Sequence, residues 1–343
     1  MDVTVRPLAA ADLAAVVALD ASIGGTPRSG YFAKRLQAAL RQPRRHLQLA
    51  LDDGRMAPDD GGAGFARDGR RPQAGADDGG AGFARDGRRP QAGADGAGVA
   101  GFLLARKAGG EYGDVENALV VEAFGVAEKS RHRGAGRRLL RRLEELARER
   151  GISLLLTQAL WRDHGILRFL DSAHFEVASR RILELAVQRL PVEDTDLAPP
   201  LVRQLGPRDL DALVEIDERI TGKDRRDYLG PKIEEVLYES AIQVSLVAED
   251  DGFPVGFAMA RVDFGDFGRI VATATLDTIG VDPRFAGHGF GRALLAQMIE
   301  NLAALHVERL ETEVDPEAFD LSRFLLRSGF APSQRIAFRK ALT

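Results

Sequence analysis

The sequence predicts a mixed α/β protein built from two similar units in tandem, each a central mixed sheet flanked by helices. Three observations carry this. The stretch "VAEKSRHRGAGRRLL" from Val126 matches "VDPRFAGHGFGRALL" from Val281. The leading Val, two glycines and a Leu pair share one register 155 residues apart, and Thr157, Phe169 and Phe175 keep that separation from Thr312, Phe324 and Phe330. Upstream, Asp20, Ile23, Gly25, Arg28 and Tyr31 match Asp217, Ile220, Gly222, Arg225 and Tyr228 at a separation of 197. Between the two units, "RLPVEDTDLAPP" (Arg189 to Pro200) has prolines and acids but no apolar periodicity, and reads as an extended linker. The expected domains are residues 1–188 and 201–343, joined by 189–200.

Within each unit the order of elements is the same. A short strand (Val3–Val5; Leu201–Val202) precedes a helix begun at Asp12 or Asp209, and a second helix ends near Leu40 or Leu237. A hairpin follows (His46–Leu51 with Val99–Ala105; Val244–Ala248 with Val255–Arg261). A longer strand (Ala118–Val126; Ala272–Val281) then runs into the glycine turn. Leu139, Leu140, Leu143 and Leu146, like Leu294, Leu295, Ile299 and Leu302, recur at helical spacing after that turn. A strand (Ser153–Thr157; Arg309–Glu313), a helix (Gly165–Ser172; Phe319–Arg327) and one last strand (Phe175–Leu185; Phe330–Arg339) complete each unit.

The first unit is longer because "DDGGAGFARDGRRPQAGA" occurs at Asp59–Ala76 and again, letter for letter, at Asp77–Ala94. Each copy has one Phe and no other large apolar residue, too little to offset the entropy of ordering it. The segment 55–97 reads as a flexible insertion in the hairpin. The second unit has the short turn Glu249–Phe257 in its place.

Composition bounds the function. A net charge of -4 gives no bulk electrostatic grip on nucleic acid. The absence of Cys excludes disulfides, zinc–thiolate sites and thiol acyl-enzymes. The six His show no metal-ligand spacing, so no metal is expected. Charges at Asp2, Arg6 and Asp12 interrupt any leader-like apolar run, and no stretch has the ~18 apolar residues of a membrane span, so a cytoplasmic protein without membrane partners is expected.

A strand, a glycine turn and a helix N-terminus together make an anion site: unpaired amides point outward, the helix dipole adds positive potential, and glycine lets the backbone approach phosphate oxygens. Neither turn has the Lys-Ser/Thr of a P-loop, and the spacing G-x-G-x-G or G-x-G is not that of a dinucleotide fingerprint. The pattern V-x-x-x-x-R-x-x-G-x-G with LL following, in this order of elements, resembles the pyrophosphate loop of the GNAT superfamily of CoA-dependent N-acetyltransferases. The resemblance covers both halves and implies two tandem GNAT-like folds. Arg131, Gly134 and Gly136 stand at the family's Arg-x-x-Gly-x-Gly positions. Gly289 and Gly291 match in the second half, with Ala286 where the Arg belongs.

The resemblance implies acetyl-CoA, or another acyl-CoA, as the acyl donor. Backbone groups at Phe124 and Val126, and at Ile279 and Val281, would meet the pantetheine arm. The turns, with Arg131, Arg133 and Arg137 in the first and Gly287 and Arg292 in the second, would take the pyrophosphate. The family's base position holds Val120 and Thr275. Two residues on, on the same strand face, Glu122 and Asp277 are the candidate general bases. The family's acid Tyr is replaced by Leu170 and Leu325. Arg28 and Arg225 are placed to read an acceptor carboxylate, and Tyr31 and Tyr228 to line the cleft, unless they only pack a helix–helix turn. The acceptor is expected to be a small-molecule or peptide amine. Two readings stand: an N-acetyltransferase, or a catalytically silent acyl-CoA-binding tandem protein.

Deleting Asp59–Ala94 is expected to leave the melting temperature within about 3 °C and CoA affinity unchanged, because long surface loops add little closure cost. A thermal scan and a titration check this, and a fall of many degrees would show that the segment packs.

Overall fold

The computed structural model describes residues 4–52, 98–108, 117–188, 200–234, 237, 244–263, 265–269 and 271–342. The duplicated segment, and all of the expected linker but Pro200, lie outside the described residues. In chain order the first half comprises β1 (Val5–Pro7), α1 (Leu13–Gly24), α2 (Ser29–Arg41), β2 (His46–Asp52), β3 (Val99–Lys107), β4 (Ala118–Val126), α3 (Ala135–Glu149), β5 (Leu154–Leu160), α4 (His164–Ser172), β6 (Glu176–Val177) and β7 (Arg181–Ala186). The second half repeats the order with β8 (Leu201–Gln204), α5 (Leu210–Thr221), α6 (Arg226–Glu234), β9 (Leu246–Asp250), β10 (Phe253–Asp263), β11 (Thr273–Val281), α7 (Phe290–Ala304), β12 (Arg309–Val314), α8 (Phe319–Arg327), β13 (Ala331–Pro332) and β14 (Arg335–Ala341).

The long strand and the helix after the turn fall where apolar periodicity put them. In α3, Leu139, Leu140 and Leu143 are buried on one face, while Arg137, Arg138 and Arg141 stay in water. Both first helices begin alike: Asp12 and Asp209 each accept a backbone hydrogen bond at 2.8 Å, from Ala9 and Gly206, and a guanidinium from the preceding strand, Arg6 and Arg203.

The last strand departs from expectation. It is broken in two, and its halves serve different sheets. The first sheet has the order β1-β2-β3-β4-β5-β14-β6 and the second β13-β7-β12-β11-β10-β9-β8. Short β6 and β13 stay at the edge of their own halves, while β7 and β14 cross over. Strand β14 pairs antiparallel with β5, Phe338 opposite Thr157, and β7 with β12, Leu183 opposite Thr312. The bends that split the strands are fixed across the exchange: the Ala178 amide donates to Ala337 O at 2.8 Å and the Ser333 amide to Ile182 O at 2.9 Å. Phe338 and Leu342 then join the core of the first lobe beside Leu155 and Phe175, and Leu183 joins that of the second beside Leu310.

Each sheet is covered on two faces. In the first lobe α3 and α4 cover one face, and α1 and α2 the other through Val16, Phe32 and Phe102. In the second, α7 and α8 cover one face and α5 and α6 the other. Among the described residues no helix is long and apolar enough to cross a membrane.

Because each sheet borrows its penultimate strand, residues 1–188 or 201–343 alone are expected to give no cooperative unfolding transition, while co-expressed halves are expected to associate into a soluble pair. Losing β14 and the residue after it takes Phe338 and Leu342 out of the first lobe's core, each worth about 1.5–3 kcal/mol, besides a whole ladder of hydrogen bonds. Circular dichroism melts of the separate and paired halves check this.

Candidate acyl-CoA site

Two copies of one arrangement are present. In the first, β4 and β5 run parallel with Ala118–Val120 opposite Leu154–Leu156, and Cα pairing stops there. Thr157 Oγ1 donates to Val121 O at 3.0 Å and closes the crotch of the V. Beyond it β4 continues to Val126 and β5 to Leu160 without partnering each other. The second lobe repeats this: Thr273–Thr275 pair with Arg309–Glu311, and Thr312 Oγ1 donates to Leu276 O at 2.9 Å. Thr157 and Thr312 escaped notice as functional positions, although they keep the 155-residue register.

The glycine turns lie at the open end of each V. Gly134 (φ +80°) and Gly289 (φ +86°) are the left-handed residues before α3 and α7, and a Cβ on either would meet no other atom within 4 Å. Their glycine identity is therefore demanded by backbone angle, and the space beside them is open. Among the described residues the first-turn amides of Ala135, Gly136 and Arg137, and of Phe290, Gly291 and Arg292, find no backbone acceptor. Gly136 is constrained by space: a Cβ there would lie 2.9 Å from Phe124 and 3.0 Å from Phe169, whose rings stack at 4.9 Å. Gly291 is roomier, 3.5 Å from Phe324, because Ile279 replaces Phe124. Gly287 is left-handed at φ +82°, and His132 takes the same conformation at its place in the first lobe.

Side chains around the turns fall differently. Arg133, Arg137 and Arg292 are exposed at the helix starts. Arg131 turns back, its Nε donating to Val126 O at 3.2 Å, so it caps the strand end. Val126 and Val281, with Phe124 and Ile279, are half-buried at the strand edges facing the V.

The two candidate bases, Glu122 and Asp277, sit at matching irregularities. The β3–β4 pairing passes from Leu104 opposite Ala123 to Ala105 opposite Val121, leaving Glu122 as the extra residue of a bulge. In the β10–β11 pairing Asp277 is skipped likewise. Both candidates are held by cations on neighbouring elements. Glu122 is 2% exposed and held by Arg106 Nε at 2.5 Å and Arg35 at 3.1 Å. Asp277 is 1% exposed, with Lys232 at 2.8 Å and Arg261 at 3.3 Å. Arg106 and Arg261 share the 155 register, and Arg35 and Lys232 the 197 register, a signal available in the sequence and overlooked.

The two clusters are joined across the lobes. The segment after β10 carries Asp266 into the first lobe, 2.8 Å from Arg35 and 3.8 Å from Arg261. Gly265 (φ +130°) allows this approach: a Cβ there would lie 2.8 Å from the Tyr31 ring. Arg35 and Arg261 hold the Asp266 carboxyl well below the usual range, although burial alone would raise it. Burial pushes Glu122 up to about 7 against the pull of Arg35 and Arg106, and the nearby charge of Asp266 adds to the rise.

Arg28 and Arg225 make the contacts of the helix–helix-turn reading. Arg225 is buried and forks onto Asp217 at 2.7 and 2.5 Å, its guanidinium 4.9 Å from the Tyr228 ring. Arg28 grips Asp20, donates to Gly265 O, and lies 5.2 Å from the Tyr31 ring. The repeated Asp…Arg…Tyr motif thus fastens the end of the first helix to the start of the second. Arg225 is spent on that task, whereas Arg28 and Tyr31 also line an open pocket.

A family model described as "Acetyltransferase (GNAT) family" matches residues 66–172 and 210–330. Among solved structures, a tandem GNAT protein from the clavulanic acid biosynthesis pathway is 16% identical, with a TM-score of 0.63, over 100% of this chain and 99% of that one. A GCN5-related N-acetyltransferase from Sphaerobacter thermophilus is 16% identical, with a TM-score of 0.57, over 99% and 96%. A fungal glucosamine N-acetyltransferase region within a multi-domain β-N-acetylglucosaminidase is 14% identical, with a TM-score of 0.61, over 98% of this chain and 38% of that one. No curated protein matches the chain.

Glu122 gives a pH signature. Its folded pKa, about 7, is above the unfolded value of 4.5, so between these values the native state holds more protons and stability falls as pH rises. The stability of wild type relative to Glu122→Gln is expected to decline between pH 5 and 7.5, by at most about 1.4 kcal/mol per pH unit, and to level off above. Urea titrations of both proteins at several pH values check this. A difference that stays constant would mean that Glu122 does not titrate in this range.

Proposed function

Since the chain belongs to the GNAT acetyltransferase family, we propose that it transfers an acyl group, most simply acetyl from acetyl-CoA, to a primary amine of a small molecule or peptide. The single observation carrying this reading is the doubled conjunction of a splayed strand pair with a left-handed glycine and unpaired helix amides at its open end. Such amides bind pyrophosphate oxygens through fixed dipoles, with Arg133, Arg137 and Arg292 in reach of the same charge. The free edges at Phe124–Val126 and Ile279–Val281 offer N–H and C=O groups to an extended arm, as one more strand would. Bound acyl-CoA supplies an activated thioester carbonyl.

What the side chains add is mostly position. An amine of pKa near 10.4 is roughly one part in a thousand neutral at pH 7. Glu122 has a proton affinity suited to a base, but its carboxylate is buried and its Oε1 is held by both Arg106 and Arg35. Deprotonation then falls to water, and orientation, worth up to about 7–11 kcal/mol, is the larger contribution. A silent acyl-CoA-binding protein is the second reading, favoured by both carboxylates being buried in ion pairs and by buried Leu170 and Leu325 at the usual acid position.

Calorimetry with CoA is expected to show two sites per chain. Gly291→Trp is expected to abolish one of them while the fold persists, since space remains around Gly291. Thiol release from acetyl-CoA over an amine panel tests turnover, and kcat/KM is expected to rise about tenfold per pH unit until the acceptor's own pKa. A plateau near pH 7 would restore a protein base, and two CoA sites without turnover would leave the silent reading.

A further inference from the structure

A pocket of about 380 Å³ opens where the α1–α2 turn of the first lobe meets the segment after β10 of the second. Its wall carries four cationic side chains, Arg28, Lys34, Arg35 and Arg269, and among the described residues that line it none is a carboxylate. The carboxylates that pair with the arginines, Asp20, Glu122, Asp266 and Glu311, are not among the lining residues. An anion inside would therefore meet the cations first and the acids at longer range, an arrangement that leaves positive potential in the pocket.

Two further features point the same way. Helix α2 begins at this wall. Arg28, its N-cap residue, makes no side-chain cap, and Ser29, Gly30 and Tyr31, the first turn of a 13-residue helix and its positive end, line the pocket. Tyr31 lines the pocket and is 5% exposed, and among the described residues its hydroxyl has no hydrogen-bond partner. A buried phenol left so is unfavourable until an acceptor arrives. Burial pushes the Tyr31 phenol well above its usual pKa, so it remains a neutral donor. The wall is complete only with Arg269 and Val271 from the second lobe, which the Arg35–Asp266 pair and the Arg28 hydrogen bond to Gly265 O hold in place.

We propose that this inter-lobe pocket binds a small ligand through a compact anionic group, a carboxylate or a phosphate, and that the ligand is the acyl acceptor, an amine that also carries an acid. The second part rests on the acyl-transfer reading. Arg35 ties the pocket to β4, since it touches Glu122, two residues before the free strand edge at Phe124. An acceptor anchored by its acidic end is thereby placed with its other end toward the V.

Calorimetry of the full chain with glutarate, inorganic phosphate and n-butylamine tests the anion site. Glutarate or phosphate is expected to bind and butylamine not to. Preference between the two anions tells carboxylate from phosphate. Thr26→Trp, at an exposed position on the rim, is expected to abolish anion binding by filling the pocket. Lys34→Ala is expected to weaken it about tenfold, and Tyr31→Phe about threefold or more, with a melting temperature for Tyr31→Phe no lower than that of wild type. Binding of neither anion, or binding indifferent to Thr26→Trp, overturns the proposal. Thiol release from acetyl-CoA with L-glutamate, O-phosphoethanolamine and butylamine tests the second part. Release favouring the acid-bearing amines supports it, and release only with butylamine overturns it. Anion binding without release from any amine retains the pocket and removes the acyl-transfer reading.

Discussion

At Ala178–Arg180 and again at Ser333–Gln334 the chain leaves one sheet and enters the other, and the remaining architecture is built around that crossing. A sheet ending at β5 would present an unpaired edge beside an apolar core, a template for aggregation. Strand β14 covers that edge in the first lobe and β7 in the second, so each half buries the other's liability. The consequence is geometric as well as energetic. Ile182 and Ala337, equivalent residues of the two halves, pack with Ala178 in one small apolar cluster between the exchanged strands. Equivalent Gln158 and Glu313 hydrogen-bond to each other. The faces carrying Glu122 and Asp277 are thereby turned inward toward the partner lobe.

That inward turn explains the buried charges. A carboxylate at a strand bulge in a single open lobe would stand in water at the cleft. Here the neighbouring lobe removes the water, and guanidinium and ammonium groups must replace it. The replacement is duplicated, Arg106 and Arg35 for Glu122, Arg261 and Lys232 for Asp277. Asp266 adds a third carboxylate by reaching from the second lobe to Arg35. Removing one partner of such a set is far more damaging than the set itself is stabilising, since the survivor is left charged and dry. Its value lies in fixing the lobes in one relative position.

Much of the fold was legible because it is local. Strand β4 spans Ala118–Val126 and helix α8 spans Phe319–Arg327, where the pattern of apolar residues put them, and the glycines mark the turns at the expected helix starts. The strand exchange was not legible. "FEVASRRILEL" reads as one strand by alternation, and nothing in a sequence distinguishes pairing with β5 from pairing with its duplicate, β12, when both offer the same register. The site divides along the same line. The cradle is backbone, and the glycines that permit it are visible in the sequence. The fates of Glu122, Asp277 and Arg225 depend on which distant cations and acids surround them. The paired positions of Arg106 with Arg261 and Asp20 with Asp217 were the readable clue, since a charge repeated in both halves beside a repeated opposite charge suggests an ion pair before it suggests catalysis.

The duplication also separates what the site requires from what it tolerates. Left-handed backbone at Gly134 and Gly289 is common to both lobes, and at the position two residues earlier His132 accepts the same angle that Gly287 takes freely. The constraint is thus on conformation at both places, strict only where the helix begins. The crotch Thr is common to both lobes. The residue facing the V is not: Phe124 stacks on Phe169 and crowds Gly136, whereas Ile279 leaves the second lobe wider at that level. On β12 the second lobe carries Glu311 and Glu313 where β5 has Leu156 and Gln158, and Arg269 answers Glu311. Arg269 is also the residue that the second lobe contributes to the wall of the anion pocket. One asymmetric acid pair therefore does two things: it neutralises a buried charge between the lobes, and it sets a guanidinium at the mouth of the neighbouring cleft. Two equivalent copies would have offered two equivalent pockets. The second lobe's Arg269 and Glu311, where the register of the first half has Asp114 and Leu156, give the first lobe a wall it does not encode for itself.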